Sequence, residues 1–325
     1  MRTDTKQKLL AYIKLRRSVS AKEMVEHLEI SKQAIFKHLA VLLRDNDIKK
    51  VGRPPKVFYS LCVDQKIVPI GHVDMVIKKI IDERYLYISP SGEITHGWKG
   101  FLRWSEKTAQ EPVKTAAEYI ATLARYDAFR KNGLIDGMKK MKATFKDPAL
   151  DALLYVDFYS IERFGKTKLG QTLLYAKQSQ DKRMMKSIAE EVRTHAEMLI
   201  EKYHIDGVVY IPPTVKREVQ FMKELEKNLR LPVRVLPVTK IKTPVAVPQK
   251  TLTKLDDRIE NARETIAVEG SGTYKNILII DDAVGSGATL NETAKQLRTK
   301  ELCTGKIIGL VITGSYKGFD VISEV

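Results

Sequence analysis

The sequence predicts an α/β protein, with a parallel sheet flanked by helices in its C-terminal half and a small basic domain of helices and paired strands in front of it. Three observations carry that prediction. Ile277, Leu278, Ile279 and Ile280 form the fully apolar run that a strand buried on both faces requires, and a helical pattern through Leu290, Ala294 and Leu297 follows after a turn of small residues. A second strand-like run, 206–211, passes through a Pro-rich turn into a helix expected over 218–229. At the other end, residues 1–62 hold fourteen Lys and Arg against six Asp and Glu, a net +8 out of +16 for the 325-residue chain.

A chain of this length suits two or three domains of ordinary size. No run of eighteen apolar residues occurs, and the start, Met1-Arg2-Thr3-Asp4-Thr5-Lys6, has no apolar stretch behind it. Neither a membrane span nor a secretory signal is therefore expected, and the protein is expected in the cytoplasm. Cys62 and Cys303 lie far apart, which argues against a disulfide framework and excludes a four-cysteine zinc site; no residue set is expected to ligate a metal by itself. The basic excess invites a polyanion, and half of it sits in under a fifth of the chain.

In that basic stretch Leu9, Leu10, Ile13 and Leu15 recur at helical spacing between Asp4 and Arg16. Ser20 with Glu23 is a capping box, opening a short helix that turns Met24, Val25 and Leu28 inward. After a turn at Glu29 and Ile30, Ser31 caps a third helix with Ile35, Leu39, Leu42 and Leu43 on its apolar side. Lys32, Gln33 and Lys37 are left on the exposed N-terminal part, residue types that reach phosphates and base edges from a helix in the major groove. Two strand-like runs, 48–51 and 57–61, flank Gly52-Arg53-Pro54-Pro55-Lys56. This order of elements resembles the winged helix-turn-helix domain of bacterial and archaeal repressors, with Arg53 and Lys56 on the wing. The resemblance implies double-stranded DNA as a partner, contacts from Lys32, Gln33, Lys37, Arg53 and Lys56, and a homodimer on a two-fold site. A basic three-helix domain that docks on protein is the alternative.

Residues 63–150 are read as a connector with a hairpin and helices, or as a dimerisation element. Tyr85 to Ser89, then Pro90-Ser91-Gly92 and a run through Ile94, suggest the hairpin, and Trp98, Phe101 and Trp104 a small core beside it. Ala116, Tyr119, Ile120 and Leu123 mark a helix from Pro112 to Phe129, with Asn132-Gly133 as its stop signal.

The apolar run at 277–280 ends in Asp281 and Asp282, and Gly285, Ser286, Gly287, Ala288 and Thr289 lead into the helix. Small residues at a strand-to-helix turn let backbone N–H groups approach an anion, and the helix N-terminus adds partial positive charge. The two acids suit the hydroxyls of a sugar whose phosphate lies in the loop. There is no G-x-G-x-x-G and no G-K-[ST], so dinucleotide and P-loop readings are weaker; an ordinary βα turn with a surface acid pair is the alternative. The combination closely resembles the 5-phosphoribosyl-1-pyrophosphate (PRPP) motif of type I phosphoribosyltransferases, with Gly285 and Ser286 where two threonines are usual.

From about Ala152 onward the chain resembles ComF-type phosphoribosyltransferases. The stretch ending Leu173-Leu174-Tyr175-Ala176-Lys177 looks like the opening of that domain, and Pro212-Pro213-Thr214-Val215-Lys216-Arg217 stands where the family has its pyrophosphate loop. Lys242-Thr243-Pro244, Pro248-Gln249, Leu252, Arg258 and Asn261 reproduce the pattern of a long polar loop, read here as a lid without apolar period. The cysteine-rich zinc module that often precedes such domains is missing. Glu218-Val219-Gln220-Phe221-Met222 replaces the usual Arg-Gly-Phe-Asn-Gln, so no contacts are carried over there.

The expected organisation is thus a winged helix over 1–62, the connector over 63–150 and a type I phosphoribosyltransferase fold over 151–325. The resemblance implies Asp281 and Asp282 as the catalytic pair. With Ala283, Gly285, Ser286, Gly287, Ala288, Thr289, Thr214, Lys216 and Arg217 they would contact PRPP, which brings Mg²⁺ with it, while Gln249, Arg258 and Asn261 belong to the lid. Two functions follow. The sequence reading favours a DNA-binding transcriptional regulator that senses PRPP or a nucleotide; the alternative is an active phosphoribosyltransferase acting on a nitrogen nucleophile, with an accessory DNA-binding domain.

Overall fold

The computed structural model describes residues 2–62, 73–215 and 217–315, so Lys216 lies outside it. The chain forms two compact units, Met1–Ile70 and Gly71–Val325. No helix among the described residues is long and apolar enough to cross a membrane.

The first unit runs α1 (Arg2–Arg16), β1 (Val19–Ser20), α2 (Ala21–Leu28), α3 (Lys32–Arg44), β2 (Ile48–Arg53) and β3 (Lys56–Leu61). Local chemistry sets these boundaries. The Ser20 hydroxyl accepts from Glu23 N at 3.3 Å while Ser20 N donates to the Glu23 carboxylate at 2.7 Å, so the capping box forms in both directions. Glu29 takes a left-handed conformation (φ 53°) to end α2, and the Ser31 hydroxyl accepts from Ala34 N to start α3. Leu9, Ile13, Met24, Ile35, Leu39, Leu42, Ile48 and Tyr59 make the core, closed by an antiparallel sheet in the order β1-β3-β2. Leu15 departs from expectation at 78% exposed: it lies two residues beyond Ile13, on the opposite side of the helix from the buried Leu9 and Ile13. Lys32, Gln33 and Lys37 are exposed on α3, and Lys56 is exposed at the β2–β3 turn.

The second unit begins with α4 (Met75–Arg84), β4 (Leu86–Ile88), β5 (Ile94–His96), α5 (Gly97–Lys107), α6 (Pro112–Asp127), β6 (Arg130–Lys131), β7 (Leu134–Asp136) and α7 (Met138–Thr144). It continues with β8 (Ala152–Phe158), α8 (Lys168–Ser179), α9 (Lys182–Tyr203), β9 (Gly207–Tyr210), α10 (Phe221–Leu229), β10 (Arg234–Leu236), β11 (Val238–Lys240), α11 (Leu255–Thr265), β12 (Ile266–Val268), β13 (Ile277–Val284), α12 (Ala288–Thr299) and β14 (Ile307–Gly314). Seven strands form one sheet in the order β10-β9-β13-β14-β8-β7-β6. The first five are mutually parallel, and the β6–β7 hairpin adds an antiparallel edge.

Side chains alternate along the central strands between two apolar layers. Leu278, Ile280, Ile308, Leu310 and Ile312 pack against α8, α9 and α10, whereas Ile277, Ile279, Ile307 and Val311 face the other side. That second layer also takes in Ile81, Phe101, Tyr119 and Met141 from α4 to α7. Residues 75–145 therefore share one core with the sheet, with Phe101 fully buried in it and Trp98 and Trp104 packed against it.

Two expected features are corrected. Asn132-Gly133 does not stop a helix: α6 already ends at Asp127, and both residues have positive φ (52° and 80°) as the turn of the β6–β7 hairpin, the conformation that an Asn-Gly pair favours between strands. Nor is 242–261 a long polar loop throughout. Residues 255–265 form α11, because Leu255, Ile259 and Ala262 fall on one helical face and pack on the core. Only 241–246 is exposed at every residue.

Candidate functional site

The strand order creates the site. From β9 the chain crosses to β10 on one side, while from β13 it crosses through α12 to β14 on the other, so the connections diverge at the β9/β13 pair. In open α/β sheets a crevice opens beyond the carboxyl ends of two such strands. Here it is a cavity of about 230 Å³, lined by the turns that follow β9 and β13.

On the β9 side Pro212, Pro213, Thr214, Val215 and Arg217 line the cavity. Arg217 donates through Nη1 to the Lys177 carbonyl oxygen, Gln220 Nε2 caps the Arg217 carbonyl at 2.9 Å, and Val219 N donates to Gln180 Oε1 at 2.7 Å. Those bonds tie the turn to the end of α8 and leave the Arg217 charge without a carboxylate among the described residues. The expected contact Lys216 lies outside the described residues.

On the β13 side Asp281, Asp282, Ala283, Gly285, Ser286, Gly287, Ala288 and Thr289 all line the same cavity. The two acids lie in the C-terminal half of an eight-residue strand, where the expected strand of 277–280 has been prolonged by pairing with β14. Gly287 caps α12 at φ 79°, a left-handed conformation that glycine adopts without strain; Ala288 N donates to Ser286 Oγ at 3.3 Å, and the helix start at Ala288, Thr289 and Leu290 lines the cavity. A side chain there would also collide with Met141: a Cβ on Gly287 would stand 2.5 Å from its sulfur. The turn thus rests on α7, from the part of the chain read as a connector.

Neighbours in sequence, the acids differ in surroundings. Asp282 Oδ2 accepts from Lys177 Nζ at 2.6 Å, both side chains being about one-fifth exposed. Among the described residues Asp281 Oδ1 accepts only the Asp282 backbone N–H, at 2.8 Å. Burial, and then the adjacent Asp282 carboxylate, push the Asp281 carboxyl well above the usual carboxylate range. Lys177 was missed as a site residue because its partner is 105 positions away and a lysine near the end of an amphipathic helix carries no local signal.

The third wall comes from β11, α11 and β12. Gln249 Nε2 donates to the Arg258 carbonyl at 2.9 Å and to Asn261 Oδ1 at 3.0 Å, so the three expected lid residues form one bonded group; Gln249 and Arg258 reach the cavity and Asn261 stands behind them. Lys240, also unforeseen, lines the cavity and donates to Thr265 Oγ1 and, at 3.4 Å, to Asn261 Oδ1. With no carboxylate in those bonds, burial lowers its ammonium pKa.

No group of three or more His, Cys, Asp or Glu side chains able to hold a metal occurs among the described residues. As a donor set Asp281 and Asp282 would suit a Mg²⁺ whose remaining oxygens came from a phosphate and water, since that ion keeps one or two carboxylates.

No family model matches the chain, and no curated protein matches it. Among solved structures it is similar to a hypoxanthine phosphoribosyltransferase from Staphylococcus aureus, with 14% identity and a TM-score of 0.24 over 40% of this chain and 62% of that one. The chain thus spans less than two thirds of that structure, and a likeness of this size carries no argument.

Proposed function

We propose that the second unit binds Mg-PRPP in this cavity and transfers its phosphoribosyl group to a nitrogen nucleophile, as a ComF-like type I phosphoribosyltransferase. The observation that carries the reading is the placement of two unlike carboxylates and a small-residue helix start at the divergence of β9 and β13. In this reading the 285–289 turn receives the 5-phosphate on backbone N–H groups, and Asp281 and Asp282 accept from the ribose hydroxyls. Thr214 and Arg217 face the leaving pyrophosphate, and Mg²⁺ would contribute neutralisation of its charge. As C1 of the ribose gains oxocarbenium character, the two carboxylates lie where positive charge develops. Burial and the neighbouring Asp282 carboxylate raise the proton affinity of Asp281, so in this reading its ionised form gains most from nearby positive charge. Release of pyrophosphate from PRPP in the presence of a panel of nucleobases and amines tests the reading. Tight PRPP binding without release under any acceptor would remove the enzyme claim.

A second reading is supported by the first unit. Three helices, with Lys32, Gln33 and Lys37 exposed on the third, and a hairpin bearing Arg53 and Lys56 form an arrangement like that of winged-helix DNA-binding domains. We infer a DNA-binding regulator governed by the same ligand, acting as a homodimer, with Gln33 affecting sequence preference and the cations general affinity. Duplex binding is then steeply salt-dependent, and each phosphate contact removed lowers the slope by about one. DNA titrations with and without saturating PRPP separate the two readings, and light scattering checks the dimer. Equal DNA affinity in both conditions leaves the enzyme alone.

A further inference from the structure

We propose that Arg258 is the charged arm of an anion subsite formed with the 285–289 turn, and that it faces the 5-phosphate of the bound ribose ester rather than acting as part of a moving lid. The identity of the anion as a 5-phosphate rests on the PRPP reading; the subsite does not.

The turn itself has no cation: Gly285, Ser286, Gly287, Ala288 and Thr289 are all neutral. A helix N-terminus offers about half a positive charge, whereas a phosphate monoester carries about −1.5 to −2 at neutral pH. Arg258 stands where the missing charge is needed. A Cβ on Gly285 would lie 3.5 Å from its Nη1, so the bare glycine leaves the guanidinium open to the turn.

The guanidinium is held in place before any ligand arrives. Its Nε donates to the Leu252 carbonyl at 2.7 Å, its own backbone carbonyl is capped by Gln249, and the residue is only 5% exposed. Among the described residues no carboxylate pairs with the group and Nη2, itself shielded from solvent, has no acceptor, which leaves Nη1, beside Gly285, as the arm that meets the turn. An uncompensated guanidinium in such a place is costly unless an anion completes it. A fixed donor also needs no reorganisation when the ligand binds. Lys240, on the same wall and likewise without a carboxylate in its bonds, adds to the field.

The test is calorimetric titration of the full chain with inorganic phosphate, ribose 5-phosphate and Mg-PRPP. Arg258→Gln should weaken inorganic phosphate and ribose 5-phosphate at least tenfold, and Arg258→Lys should fall between it and the wild type, because lysine keeps the charge but loses the planar fork. Gly285→Ala is the companion variant. Its backbone is not in the left-handed region and the added methyl meets Nη1 at ordinary contact distance, so the fold is kept while the anion position is obstructed. It should lose phosphate affinity with an unchanged melting temperature, and this holds even if Arg258→Gln fails to fold. Absence of phosphate binding by wild type, or equal phosphate affinity in wild type and Gly285→Ala, overturns the proposal. If Mg-PRPP binds tightly and Arg258→Gln binds it equally well, the subsite falls while the PRPP reading stands. If the phosphate esters bind no better than inorganic phosphate, yet the variants weaken all three alike, the PRPP reading falls and the subsite stands.

Discussion

The floor and the outer wall of the cavity solve opposite electrostatic problems. The floor, 281–289, sets two carboxylates beside a helix start and satisfies one of them with Lys177. The wall, Lys240 with α11, carries two cations whose hydrogen bonds all go to neutral oxygens. Each side by itself is destabilised by burial of like charge. In the proposed reading a ligand with hydroxyls at one end and phosphate at the other relieves both.

The comparison is broken most severely at Gly287. Gly287→Val forces a branched residue to φ 79° and drives it into Met141, so a loss of about 2–5 kcal/mol in urea denaturation, with no ligand binding, is expected. Stability within about 0.5 kcal/mol of wild type would mean that α7 does not support the turn. Next in size, Asp281→Asn with Asp282→Asn should reduce Mg-PRPP affinity by at least about a hundredfold while the protein stays folded, since each carboxylate removed forfeits about 1.5–3 kcal/mol of charge-assisted hydrogen bonding. Equal affinity by calorimetry would remove the acids from the site.

Lys177→Met isolates the floor's internal pairing. It strands the Asp282 carboxylate beside Asp281, and a stability loss of about 1–3 kcal/mol is expected at pH 7, shrinking when both acids are protonated. Lys240→Met tests the opposite sign on the wall. A lysine whose pKa is lowered by folding costs stability wherever both states are protonated, and the cost fades as pH rises from its lowered value to the ordinary lysine value. The variant should therefore gain about 1 kcal/mol at pH 7 and lose that advantage toward pH 10.5. A destabilised Lys240→Met at pH 7 would mean that the lysine is satisfied as it stands.

Asp281 yields the finest distinction. Its folded pKa is raised, so the folded chain binds this proton more tightly than the unfolded one. Stability consequently falls as pH rises from the ordinary carboxylate value through the raised one, and stays lower above it. Asp281→Asn should melt higher than wild type at pH 8 and at the same temperature near pH 3.5. Over the same window wild-type affinity for Mg-PRPP should rise with pH, and the rise should flatten in the variant. A pH-independent difference in melting temperature would assign the effect to packing instead.

What the sequence determined alone is what lies close together along the chain. Ser20 and Glu23 are three residues apart, and their reciprocal bonds need only the helix they start. The apolar run at Ile277, its two acids and the small-residue turn are likewise contiguous, so strand, turn and helix start were legible together. Where a short pattern serves two structures, local reading chose wrongly: Asn132-Gly133 suits a helix end and a hairpin, and only the pairing of Arg130 with Ile135 selects the second. The helix α11 was hidden for a related reason, since three apolar residues in eleven show a face only once a core exists to cover it.

The tertiary structure alone decided which charges meet. Lys177 reaches Asp282 across 105 positions, Met141 supports Gly287, and Arg258 comes to stand beside Gly285 because the connections that leave the paired strands β9 and β13 run to opposite sides and α11 lines the crevice between them. Burial then set the proton affinity of Asp281 and Lys240, and burial is a property of the packed layers around a residue and not of its neighbours in sequence.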